Sequence, residues 1–408
     1  MTRRSALDGL NFWLADAPSV LGPYLGVFLL TRYHWDQASI GLIAMVGGLT
    51  GIAAKIPMGA LIDATRRKRS LLVASLAAMA VAAVAVTWQP TLWVVAAASV
   101  AVAVAGAIQG PIVSALTLGL FERADLARRM GRNSAFDHAG NVFTAVAAGV
   151  VGSLLTQRAV FLLVPLFSIA ATFCVLAIRP QDIDHDRARG ANRGGERGTA
   201  SAVSLAELLH HRPLLLFAAC VALFHFANAA MLPLVGQRLA LAHAGYESVM
   251  MSACIVGAQL VMLPVALACG FWADRSGRKP LLVAAFAVLA LRGVLYTLSS
   301  DPGWLLAVQL LDGIGAGTLG VMVPLVASDL TKGTGRFNVS LGAVAAVGGI
   351  GAALSNAVAG AIVVRWGYDA TFLTLAAIAA ATPLLLWLMP ETAGPPQAPA
   401  AARLATEG

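Results

Sequence analysis

Apolar stretches of about 20 residues, the length that crosses a bilayer, recur along the whole chain with only short polar connections between most of them. We place twelve such spans, at roughly 8–31, 36–61, 70–88, 91–120, 131–156, 159–179, 212–238, 247–272, 280–298, 302–328, 337–363 and 369–390. Charged residues make up 12% of the chain, against about 25% in an ordinary soluble domain. The expected fold class is therefore an all-α membrane protein. The first apolar run is long, is interrupted by Asp16 and lacks a small-residue cleavage pattern, so it is not expected to be a removed signal.

Charge is distributed unevenly between the connections. With both termini on the cytoplasmic side, 22 of the 28 Lys and Arg residues fall in cytoplasmic segments, and only Arg32, Arg158, Arg238 and Arg365 fall outside. This is the positive-inside pattern of an integral protein, and a bacterial inner membrane is the expected location. The net charge of +8 then reflects topology, and no nucleic-acid partner is expected. Cys174, Cys220, Cys254 and Cys269 all lie in spans and carry neither a disulfide framework nor metal-ligand spacing.

A charged loop occurs twice. Gly59, Asp63, Arg67 and Lys68 lie at the end of the second span and just beyond it, and Gly270, Asp274, Arg275, Gly277, Arg278 and Lys279 do the same at the eighth, 211 residues later. Two further landmarks repeat in the same order: Gln109-Gly110 in span 4 with Asp312-Gly313 in span 10, and Gly131-Arg132 with Gly335-Arg336 at the starts of spans 5 and 11. Duplication of this kind points to two bundles with a transport path between them. The expected organisation is a six-helix bundle over 1–180 and a cytoplasmic linker over 181–211 with a short amphipathic piece. A second six-helix bundle over 212–390 and a disordered cytoplasmic tail over 391–408 follow.

These residues resemble the major facilitator superfamily over essentially the whole chain. Gly270 to Lys279 fits its loop signature G-x-x-x-D-R-x-G-R-[KR] at every position, whereas the first copy departs at Ala64 and Arg66. The resemblance implies twelve helices in two pseudo-symmetric bundles, with spans 1, 4, 7 and 10 lining a cavity and spans 2, 5, 8 and 11 acting as gates. It also implies that Asp63 and Asp274 belong to gating latches, with Asp63 facing the positive end of helix 11. Arg67 and Lys68 would meet acidic groups or lipid phosphates.

Ionisable groups inside a span are costly and mark function by default. Asp16, Asp312, Asp137 and His138 are the proton-coupling candidates, because burial raises a carboxylate pKa toward neutrality. The cavity candidates are Asn11, Asp16, Gln109, His225, Asn228, Gln309 and Asp312. Asn133, Asp137 and Asn141 recur at i, i+4 and i+8 and share one helix face. Gly22-Pro23 is expected to loosen span 1, and Pro233 to kink span 7. Lys55 either snorkels or meets an anion. Arg292 falls on a span that is peripheral in this family and is set aside. For each of these residues a hydrogen bond between helices is the competing structural role.

No phosphate-binding G-x-x-x-x-G-K-[ST] loop is present, so no ATP motor is expected. No metal cluster or catalytic spacing appears, and neither an enzyme nor a cofactor is expected beyond a proton gradient. Drug–proton antiporters of the superfamily carry an Arg where Gly106 stands and a G-P-x-x-G-G run late in span 5, and both are absent here. The short loops and Leu/Met-rich spans are nevertheless similar to bacterial export branches. The leading expectation is proton-coupled export of a small amphiphilic organic compound by a monomer surrounded by lipid. Uptake or facilitated diffusion of an organic anion, and a non-transporting receptor or scaffold, are the alternatives.

Overall fold

A computed structural model describes residues 3–15, 20–184, 188, 211–243, 245–331 and 337–392. The expected spans are helical over most of their described residues, and no strand occurs among the described residues. Spans 2 to 5 are the helices Gln37–Ala64, Lys68–Trp88, Leu92–Leu120 and Arg123–Leu154. Spans 8 and 9 are Glu247–Ser276 and Arg278–Leu295. Helix Phe337–Ala381 contains span 11 and most of span 12, divided by Gly367 at φ 83°. That left-handed backbone suits glycine, which has no Cβ to clash.

Five spans are interrupted among the described residues, span 12 by a single turn residue, Thr382, ahead of Pro383. Span 1 consists of Arg3–Leu14, a π-helical turn at Val20–Tyr24 containing Pro23, and Leu25–Tyr33. The expected loosening at Gly22-Pro23 takes the form of that π-turn. Span 6 is divided at Leu162. Span 7 breaks at Ala229-Ala230, between Arg212–Asn228 and Met231–Ala242, just ahead of Pro233. Span 10 breaks at Leu310, between Pro302–Gln309 and Leu311–Leu330.

Span 5 begins at Arg123, earlier than the hydropathy pattern predicts. Ala124 to Met130 is charged but rich in good helix formers, so the helix extends past its apolar part. Asp137 therefore lies well inside the helix.

The chain divides into two compact units. One comprises Met1–Ala202, Asn228–Val256 and Ala352–Thr371; the other comprises Val203–Ala227, Gly257–Gly351 and Phe372–Gly408. We call the end of each span nearest the 2–3, 4–5, 8–9 and 10–11 connections its basic end, and the other its distal end. The first unit joins spans 1 to 6 with the distal parts of spans 7, 8 and 11. Its interior holds an apolar cluster around Phe28, Met79, Val86, Phe161 and Phe167. A second cluster lies toward the basic end, around Leu7, Leu10, Leu72, Ile112 and Leu116.

Glycines bring the distal backbones of the first unit together. A Cβ on Gly41 would lie 2.1 Å from the carbonyl oxygen of Asn356, and one on Gly360 would lie 2.3 Å from that of Gln37. Gly140 approaches Phe12 in the same way, at 2.2 Å from its carbonyl oxygen. Small residues at helix crossings are how membrane helices gain contact without a hydrophobic driving force. In the second unit, Gly313 and Gly317 lay span 10 against the backbone of span 8 at Ala258 and Met262.

Candidate functional site

In the first unit, spans 1, 4 and 5 enclose a polar cavity of about 350 Å³. Its wall includes Asn11, Gln109, Ser114, Thr117, Asn133, Ser134 and Asp137. Three of the sequence candidates, Asn11, Gln109 and Asp137, thus converge on one space. Their polar groups are partly committed to the protein. Asn11 Nδ2 donates to the Leu7 carbonyl at 2.7 Å, Gln109 Nε2 to Met79 Sδ at 2.9 Å, and Asn141 Nδ2 to Asp137 Oδ2 at 3.3 Å. Asn133 Nδ2 donates to Thr117 Oγ1 at 2.9 Å and ties span 5 to span 4. Asp137 is half-buried, while the neighbouring His138 is exposed. Asp16 lies outside the described residues.

At the basic end of this cavity, Asp8 forms ion pairs with two arginines of span 5. Arg129 Nη2 is 2.8 Å from its Oδ1, and Arg132 Nη2 is 2.9 Å from its Oδ2. The Asp8 side chain is 9% exposed and that of Arg129 4%, so this pair is nearly buried, while Arg132 reaches it from an exposed position. Sequence reasoning passed over it, because Asp8 sits at the edge of an apolar run and the arginines look like ordinary positive-inside charges.

In the second unit the site candidates assemble around the break in span 10. Arg292 Nη1 donates to Asp312 Oδ1, and Tyr296 Oη donates to Gln309 Oε1. Gln309 Nε2 closes the set by donating to Asp312 Oδ2 at 3.2 Å. Gln309 is fully buried and Asp312 half-buried, so span 9 supplies the cation and the phenol to a pair on span 10. Arg292, set aside from the sequence, is the partner of a leading candidate. His225 stacks edge-on against Phe224 and packs at Gly348. Asn228 lies at the end of its helix, in the first unit. Lys55 is exposed and does not line the polar cavity.

The repeated charged loops close differently. In loop 8–9, Gly277 adopts φ 86°, and Arg278 turns inward to donate through Nε to Asp329 Oδ2 at 3.0 Å and through Nη1 to the Ala273 carbonyl at 2.6 Å. In loop 2–3, Arg66 occupies the matching position, and an L side chain does not take that φ readily. There Lys68 is the buried base, donating to the carbonyls of Ile62 at 2.6 Å and Thr65 at 2.9 Å. Asp63 and Asp274 sit in the last helical turns of spans 2 and 8, and their side chains lie outside the described residues. Gly335 and Arg336, the linker from 189 to 210 and the tail from 393 also lie outside them.

Two helical bundles' worth of spans, breaks in spans 1, 7 and 10, and the repeated loop all coincide with a family match. A model described as Major Facilitator Superfamily matches residues 7–266 and again 250–407. The chain belongs to the major facilitator superfamily. Two Mycobacterium tuberculosis proteins, from strains CDC 1551 / Oshkosh and ATCC 25618 / H37Rv, are both described as uncharacterized MFS-type transporters. Each is 48% identical over 388 residues, covering 95% of this chain and 93% of the relative. Among solved structures, the nucleoside transporter NupG superposes with a TM-score of 0.78 at 14% identity, over 95% of this chain and 99% of that one. A POT family transporter in complex with 5-aminolevulinic acid gives 0.70 at 12% identity, over 94% and 95%. Such low identity establishes a common fold alone. This superfamily member is an integral membrane secondary transporter.

Proposed function

We propose that the transporter exports a small amphiphilic organic compound in exchange for protons. The observation that carries the proposal is the Arg292–Asp312 pair beside the break in span 10. The Arg292 guanidinium holds Asp312 by charge as well as by hydrogen bond, so a change of charge on Asp312 would loosen the pair. Gln309, bonded to Asp312 from the other side of the break, would then carry the change into the first half of the span. Asp137 is a second titrating candidate, on the wall that presents Asn11 and Gln109 to a ligand.

The distal contacts support alternating access. Spans 1 and 2 of the N-terminal half meet spans 7, 8 and 11 through noncovalent links that can part. Besides the glycine contacts, Tyr24 Oη and Ser252 Oγ lie 2.8 Å apart, and Gln37 Nε2 donates to Tyr368 Oη at 3.0 Å. By the positive-inside charge pattern these contacts face away from the cytoplasm, which makes them an outer gate.

The test is untargeted mass spectrometry of the medium and cell extract. Cells making the wild-type chain are compared with cells making equal amounts of Asp312→Asn, with and without a protonophore. A compound enriched outside only with wild type, and lost on protonophore addition, is expected. Depletion of a compound from the medium would overturn export, and export insensitive to both the variant and the protonophore would overturn proton coupling.

A further inference from the structure

The distal part of the first unit holds a second cavity, of about 380 Å³, within the range of small-molecule sites. It shares no lining residue with the polar cavity around Asn11 and Asp137. Spans 1, 2, 4, 7 and 11 form it, all within the one compact unit. No charged side chain lines it among the described residues. An ionised ligand would be desolvated there without a counter-charge.

Most of the wall is apolar, with Leu25, Ile40, Ile43, Val102 and Leu234 providing the larger side chains. Against this stands Gln237, which is 2% exposed and whose carboxamide oxygen has no hydrogen-bond partner. Buried acceptors are ordinarily satisfied, and one left unmet on a cavity wall needs an explanation. The break in span 7 adds to the acceptor character. Pro233 has no N–H to give the carbonyl of Ala229, and both residues line the same cavity.

We propose that this distal cavity binds an uncharged, mainly apolar molecule that presents an N–H or O–H group to Gln237. The donor satisfies the carboxamide oxygen, and the apolar body fills the space between spans 1, 2 and 4. The site stands apart from the polar cavity, and its existence does not depend on the direction of transport or on proton coupling.

The full-length chain in lipid nanodiscs is titrated with 2-phenylindole, a fluorescent, uncharged N–H donor, and with 2-phenylbenzofuran, which has the same shape without the N–H. The variants are Gln237→Leu, which removes the acceptor, and Ala44→Phe, which fills the cavity from an exposed position on its wall. Wild type is expected to bind 2-phenylindole saturably, with affinity about tenfold lower in Gln237→Leu, as for loss of one buried hydrogen bond. 2-Phenylbenzofuran should bind wild type and Gln237→Leu alike, and Ala44→Phe should abolish saturable binding of both. Linear uptake that is equal in wild type and Ala44→Phe means partition into lipid alone and overturns the site. Saturable binding that survives Ala44→Phe puts the probe elsewhere, and binding that survives Gln237→Leu undiminished overturns the assigned contact.

Discussion

The Arg292 guanidinium, on span 9 and only 1% exposed, donates to the Asp312 carboxylate on span 10. Neither charge can be removed alone without stranding the other inside the bundle. Breaking a buried pair from one side typically costs about 3–5 kcal/mol, while replacing both members with apolar residues costs far less. Arg292→Leu and Asp312→Leu should therefore each lower the thermal midpoint of the detergent-purified protein. The double variant should recover most of the loss. Purely additive losses in that cycle would show that the two side chains do not depend on each other.

Pairings of this kind explain what was legible in the sequence and what was not. Span length and the repeated loop are local signals, so the twelve spans and the family resemblance could be read directly. Pro23 and Pro233 mark their breaks for the same reason. Arg292 and Asp312 lie 20 positions apart on different helices, and only the packing of span 9 on span 10 brings them together. Asp8 and Arg129 are likewise separated by three whole spans. The divergence of the two loops was visible as Arg66 in place of Gly277. Its consequence, that Lys68 in one loop and Arg278 in the other turns inward, follows from backbone geometry that spacing does not encode.

Asp36 caps span 2 and ties its stability to pH. The Ser39 backbone N–H donates to Asp36 Oδ1 and its hydroxyl to Oδ2, both at 2.8 Å. The Ser39 backbone bond, which outweighs the opposing effect of burial, holds the carboxyl below its ordinary pKa of 3.8. A depressed folded pKa means the cap stabilises above the unfolded value and loses that contribution as pH falls through the folded one. The protection of amides at the start of span 2, measured against their intrinsic exchange rates, should fall as pH is lowered through this window. Asp36→Asn, still a good cap but without charge, should flatten the response, and Asp36→Ala should cost about 1 kcal/mol locally at neutral pH. An identical pH response in Asp36→Asn would rule the carboxylate out as its source.

Glu391, beyond the last span, caps the start of span 9. Its Oε1 accepts from the Arg278 N–H at 2.9 Å and its Oε2 from the Lys279 N–H at 3.0 Å. An anion at a helix N-terminus gains from both the unpaired N–H groups and the dipole, by about 0.3–1 kcal/mol at an exposed site. Glu391→Ala should speed amide exchange in the first turn of span 9 several-fold without changing span 3, which has no such cap. Glu391→Gln should fall between the two. Equal exchange in all three proteins would show that the tail leaves loop 8–9 unrestrained.

The distal contact of spans 2 and 11 offers a direct test of gating. A Cβ on Gly41 would meet the Asn356 carbonyl oxygen at 2.1 Å, and that neighbour is backbone, so no side-chain rotation relieves the clash. Gly41→Ala must therefore push the two distal helices apart or shift the protein toward an arrangement in which they are already separate. Ala357, beside this contact on span 11, reports the change when replaced by cysteine. The four native cysteines are buried, which keeps the labelling background low. In an Ala357→Cys background, Gly41→Ala should raise labelling by a membrane-impermeant maleimide about tenfold, equivalent to about 1.4 kcal/mol of population shift. Turnover should fall together with that rise, because a gate that closes poorly cannot alternate. Increased labelling with turnover intact would mean that spans 2 and 11 touch without gating, and unchanged labelling would mean that the contact is absent in the membrane.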